Sequence, residues 1–96
     1  MRNYEIMYIL KADLDDAARE AQINDIQKLL EDNGAQVKGT DLKFGLRDLA
    51  YPINDETKGF YVVLKVSADE TALYQFNRKV KINPAVLRHL ITVEQE

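Results

Sequence analysis

Residues able to act as a base, a nucleophile or a metal ligand are few in this chain, and each has a plainer role. His89 is the single histidine and sits beside Leu87 and Ile91 in an alternating stretch, where an imidazole packs as a ring. Ser67 stands three residues before Glu70, the spacing of a capping box that occupies its hydroxyl. The run "DLDD" at Asp13 to Asp16 lacks the ligand spacing and the glycine of a calcium loop, and reads as a solvated helix cap. Glycines at 34, 39, 45 and 59 are scattered and cradle no phosphate. Zero Cys excludes disulfides, thiolate metal sites and Cys nucleophiles, and makes a reducing cytoplasm the default compartment. The expectation is a protein without catalysis, cofactor, metal or small-molecule substrate.

Binding chemistry is better supplied. The net charge of −3 argues against a surface that is cationic all round, but the average hides an asymmetry. Asp13 to Asp32 holds seven acids against Arg19 and Lys28. Thr71 to Val93 holds four bases, Arg78, Lys79, Lys81 and Arg88, and no acid. One end of the molecule is therefore expected to be locally basic.

Ninety-six residues, 46% hydrophobic and 30% charged, suffice for one core, so residues 1–96 are expected to form a single domain. No apolar run reaches the length of about 20 residues that a membrane helix needs, and no membrane partner is expected. Glu5 inside the first apolar stretch argues against a signal peptide.

Alternation predicts strands at Arg2 to Leu10, Ala35 to Leu46, Phe60 to Val66 and Val86 to Val93. The second has Val37, Leu42, Phe44 and Leu46 as its apolar members, with Gly39 marking a bulge. A helix is expected from Asp13 to Asn33, stopped by Asn33-Gly34. Another opens at Ser67, carries the stripe Leu73, Phe76, Val80, and ends before Asn83-Pro84. "NDETKG", Asn54 to Gly59, reads as a turn. The order β-α-β-β-α-β makes an α+β, ferredoxin-like fold: a four-stranded antiparallel sheet with two helices on one face. The other face would show Asn3, Glu5, Met7, Ile9, Tyr61, Val63, Lys65, Arg88, Leu90 and Thr92. Apolar groups mixed with Lys and Arg suit a partner or RNA better than bare water. An RNA-recognition module shares this topology, but its aromatic strand signature is missing from "GFYVVLKV".

The stretch "GLRDLAYPIND", Gly45 to Asp55, has the apolar density of a strand yet carries Pro52, which cannot donate to a ladder. It must lie at a sheet edge or leave the sheet. Taken with "MRNYEIMYIL", "KGFYVVLKV" and "INPAVLRHLITV", the box "FGLRDLAYPI" resembles the bacterial ribosomal small-subunit protein six family over nearly the whole chain. The box with a glycine six to seven residues later is the specific part. The resemblance implies the ferredoxin-like fold and a structural role in the cytoplasmic ribosome. It also implies binding to the central domain of the 16S ribosomal RNA together with the eighteenth small-subunit protein. It places Arg2, Arg47, Tyr51 and Arg88 where the family keeps RNA- or partner-facing groups. Many members have further bases in the box; this chain has Leu46 and Asp48, leaving Arg47. With Lys79 and Lys81 of the basic stretch, the RNA set is Arg2, Arg47, Lys79, Lys81 and Arg88. The partner strip is Leu49, Tyr51, Pro52 and Ile53. A ligand-sensing regulatory module of the same topology is the alternative; it wants glycine-rich turns at the first strand–helix junction, and "KADLDD" has none.

Overall fold

The computed structural model describes residues 2–53 and 56–93, apart from the side chain of Lys43. Six elements follow in chain order: β1 (Arg2–Lys11), α1 (Asp16–Asp32), β2 (Gln36–Ile53), β3 (Glu56–Ala68), α2 (Glu70–Lys81) and β4 (Val86–Val93). The strands form one sheet in the order β2-β3-β1-β4, with every neighbouring pair antiparallel. This is the ferredoxin-like architecture that the alternation of elements predicts. Among the described residues no helix is long and apolar enough to cross a membrane.

Strand periodicity of two puts Ile6, Tyr8 and Leu10 of β1 and Val62, Leu64 and Val66 of β3 on the helix side, all fully buried. Ile23, Ile26 and Leu30 of α1 and Ala72, Phe76 and Val80 of α2 close the same core from above. Their spacing of three and four is what lays one stripe of each helix on the sheet. α1 starts where Asp15 accepts a hydrogen bond from the Ala18 amide at 2.7 Å. It stops at Asn33, whose own amide donates back to the last carbonyls.

Tyr8 is fully buried among these apolar groups, and its hydroxyl has no hydrogen-bond partner among the described residues. Burial also pushes its ionisation well above the usual phenol range. An unpaired buried hydroxyl costs about 1–3 kcal/mol, so Tyr8→Phe is expected to stabilise the protein by about 1 kcal/mol. Denaturant melts of the two proteins check this; a loss of stability above about 1 kcal/mol would mean the hydroxyl has a partner after all.

Expectations for the α2 cap, the β2–β3 turn and the end of β2 need correction. Ser67 does not cap the second helix. β3 runs on to Ala68, which pairs with Arg2, so Ser67 is still strand, opposite Asn3 and Gln36. The N-cap is Asp69, whose carboxylate accepts from the Ala72 amide at 3.0 Å. Asp69→Ala should cost about 1 kcal/mol, whereas Asp69→Asn, which keeps an accepting oxygen, should retain most of the capping; thermal melts separate them.

The second correction concerns the turn assigned to Asn54 through Gly59. Glu56 to Gly59 are strand; Asn54 and Asp55 lie outside the described residues. The third concerns β2, which does not end at Leu46 but continues through Pro52 to Ile53. β2 is an edge strand, the one setting in which a sheet tolerates proline.

The ladder of β2 with β3 shifts register three times, between Val37 and Gly39, Asp41 and Gly45, and Asp48 and Ile53. The first is the bulge that Gly39 signals. At the second, Gly45 adopts a φ of 54°, the left-handed region that only glycine enters without strain. The shift releases Leu42, Phe44 and Leu46 from core packing; they are exposed, with Leu46 at 55%. At the third, pairing steps from Asp48–Lys58 directly to Ile53–Glu56, so the missing N–H of Pro52 falls where the register already breaks.

Candidate partner and RNA interface

The β2–β3 hairpin does not extend flat from the sheet. Its distal part lies over the face opposite the helices, around a concavity of about 210 Å³. The walls are Leu49, Tyr51 and Ile53 from β2, Tyr61 from β3, Met7 and Ile9 from β1, and Arg88 from β4. Ile9 and Val63, which the alternation places on an open outer face, are in fact buried at 4% and 6% exposure. That is a correction, and for Ile9 the hairpin is its cause: the Leu49 side chain joins that of Ile9 over the same face of Gly59. Leu90 and Thr92, farther along β4, remain exposed.

Leu49 and Ile53 are half-buried against this concavity, while Tyr51 and Pro52 are exposed, Tyr51 at 52%. The Tyr51 hydroxyl accepts a hydrogen bond from Nη1 of Arg88. The guanidinium carbon of Arg88 also sits 5.3 Å from the Tyr51 ring centroid, a cation–π distance. The structure thus brings together Leu49, Tyr51, Ile53 and Arg88, with Pro52 between Tyr51 and Ile53.

The other cationic candidates are dispersed. Arg47 lies on the edge strand, its Nε donating to the Phe44 carbonyl at 2.9 Å and its guanidinium 5.2 Å from the Phe44 ring. Beside it are Leu46, Asp48 and Lys58 around a shallow polar hollow, and Lys58 stands 4.0 Å from the Asp48 carboxylate. Lys58, in a stretch whose composition suggests a turn, is a strand residue. Arg2 stands at the far end of β1 among Tyr4, Ala68, Asp69 and Glu70. Seven residue steps along β1, about 23 Å, separate it from Ile9, the residue paired with Arg88. Lys79 and Lys81 are exposed near the end of α2, on the helix side of the sheet. Three basic residues in that last turn also complement the negative end of the helix dipole.

His89 points away from Arg88, toward α2. Its Nε2 lies 2.9 Å from the Asn77 amide oxygen, and Phe76 meets the ring edge-on at a centroid distance of 5.7 Å. Burial, and then the positive charge of Lys81, lower its pKa below the ordinary histidine value. The lowered pKa favours the neutral imidazole, which joins α2 to β4. Asp15 and Asp16 are likewise engaged locally, as the α1 cap and as the partner of Arg19. Among the described residues no group of three potential ligands could hold a metal ion.

Residues 3–93 match the family model described as ribosomal protein S6. The chain belongs to that family. Over 96 residues it is 45% identical to the small ribosomal subunit protein bS6 of Shouchella clausii, a match covering all of both chains. Its backbone superposes on the crystal structure of the 30S ribosomal protein S6 of Thermotoga maritima with a TM-score of 0.90. That comparison covers 97% of this chain and 87% of the other at 22% identity, and so speaks to the fold.

Proposed function

We propose that this chain is a structural constituent of the small ribosomal subunit, in the cytoplasm, and that it binds the central domain of 16S ribosomal RNA jointly with the eighteenth small-subunit protein. It performs no catalysis. The observation that carries this reading is the full-length 45% identity to a small ribosomal subunit protein. The geometry supports a division of labour. Tyr51 and Pro52 offer an exposed aromatic-apolar strip above the sheet, suited to a protein partner. Arg88 and Arg47, at the hairpin end of the sheet, offer guanidinium groups to phosphates. Lys79 and Lys81 on α2 and Arg2 at the opposite end of β1 are separate contacts, each able to meet a different strand of RNA.

Because these cations are few and scattered on a chain of net charge −3, affinity for RNA alone should be weak. Neutralising about two to four phosphates gives a log–log salt slope of roughly −2 to −4. Filter binding of a 16S central-domain fragment across a salt series, with and without the eighteenth small-subunit protein, tests the proposal. The expected result is tight binding only when the partner is present. A slope near −8 with tight solo binding, or no gain from the partner, would overturn it.

A further inference from the structure

Tyr51 and Arg88 belong to the two opposite edge strands of a four-stranded sheet. In a flat sheet such strands lie about 14 Å apart, three spacings of about 4.8 Å, too far for the two groups to meet. They meet because the hairpin folds over Ile9 and delivers the Tyr51 ring to the Arg88 guanidinium. Of the residues assigned to the partner strip and to the RNA set, these two are joined by both a hydrogen bond and a cation–π contact. One belongs to each set.

We infer that Tyr51 is a positioning residue for Arg88, and that this pair couples partner binding to RNA binding. The inference rests on the reading given under Proposed function. A guanidinium carries five N–H donors in a planar fork; Tyr51 takes one, and the remaining donors stay available to a phosphate. An exposed arginine samples many rotamers, and a phosphate that captures it must first order it. Tyr51 supplies part of that order in advance. A protein that packs on Tyr51 fixes the ring and removes water from the pair, so the phosphate pays less ordering entropy at Arg88. The effect is reciprocal: RNA that holds Arg88 presents a fixed Tyr51 to the partner. Arg47 lacks this property, because its guanidinium is turned to Phe44 of its own strand.

Tyr51→Phe keeps the ring and its apolar contact but removes the accepting hydroxyl, and it is the variant that isolates the effect. The affinity of the full chain for a 16S central-domain fragment is measured with and without saturating eighteenth small-subunit protein, for the natural chain, Tyr51→Phe, Arg88→Gln and the double variant. The ratio of the two affinities is the coupling factor. It should fall by about three- to tenfold in Tyr51→Phe, within the range that such couplings span. Saturation of each variant with the partner, set from its own RNA-free titration, keeps any change in partner affinity out of this ratio, and the double variant should lose no more coupling than Arg88→Gln alone. In parallel, nitrogen-15 relaxation at the Arg88 Nε–Hε group should show an ordered side chain in the free protein and a mobile one in Tyr51→Phe. A coupling factor unchanged in Tyr51→Phe, or equal mobility of Arg88 in the two proteins, overturns the inference while leaving the Proposed function standing. Failure of the natural chain to bind RNA with its partner removes both.

Discussion

Gly59→Ala should destabilise the protein by about 2–3 kcal/mol, an unusually large penalty for adding one methyl group. Gly59 is buried on β3, opposite Arg47 on one side and Lys11 on the other. A Cβ built there would lie 2.3 Å from Cγ2 of Ile9 and 3.4 Å from Cδ2 of Leu49. Ile9 cannot step aside cheaply, because its β-branched side chain is stiff at χ1 and buried at 4% exposure. Relief requires either β1 or the hairpin to move. At roughly 4–8 °C per kcal/mol for a domain of this size, the melting temperature should fall by about 10–20 °C. Gly39→Ala is the control, since nothing lies within 4 Å of a Cβ at that position and its φ is unexceptional. Thermal and urea melts of both variants decide the matter. A Gly59→Ala change within about 0.5 kcal/mol of the Gly39→Ala control would mean the hairpin is not seated on Ile9. The same lift of the hairpin should separate Tyr51 from Arg88, so a destabilised but folded Gly59→Ala protein is also expected to bind its partner less well.

That glycine illustrates where the sequence is legible and where it is not. Alternation in Arg2 to Leu10 and Phe60 to Val66 is regular because β1 and β3 are central strands with one face against the helices. Their phases, the helix stripes and hence the ferredoxin-like order follow from residue type alone. β2 defeats the same reasoning. Its three register shifts reset which side chains face inward, so Leu42, Phe44 and Leu46 look like core and are exposed. Pro52 correctly signals an edge, but an edge residue can hang in solvent or fold back over the sheet. The choice here depends on contacts between Leu49, Gly59 and Ile9, distant in sequence and chemically ordinary. The Tyr51–Arg88 contact, spanning 37 positions, is invisible in the sequence for the same reason, although the family resemblance points to each residue singly. At Ser67 the capping-box spacing is a local signal, whereas strand pairing with Arg2 and its neighbours carries β3 past it. The cationic candidates were legible as residues but not as a patch: Arg2, Arg47, Lys79, Lys81 and Arg88 fall in four places on the molecule.

Tyr51→Ala should weaken binding of the eighteenth small-subunit protein by about 2 kcal/mol, or roughly thirtyfold, with little loss of stability. The ring is 52% exposed in the free chain, so truncating it removes little buried area from the fold. What it removes is a large rigid apolar body with a polar tip, the residue type that most often anchors an interface. Its neighbours divide differently. Leu49 and Ile53 are half-buried over the outer face of the sheet, so their truncation should cost folding at least as much as affinity. Pro52 has no N–H and sits where β2 and β3 lose register, so a partner strand cannot extend a regular ladder there and must rely on side chains. Tyr51 is therefore the position at which affinity and stability come apart. Titration calorimetry of the RNA-free proteins measures the partner contact without the contribution that passes through Arg88, and circular dichroism melts run alongside report the fold. Unchanged affinity with a lowered melting temperature would make Tyr51 a corner residue holding the hairpin down. The apolar strip would then be part of the fold's own packing, and the partner would have to dock on other exposed apolar groups, such as Leu90 and Val93 at the other edge, exposed at 53% and 54%.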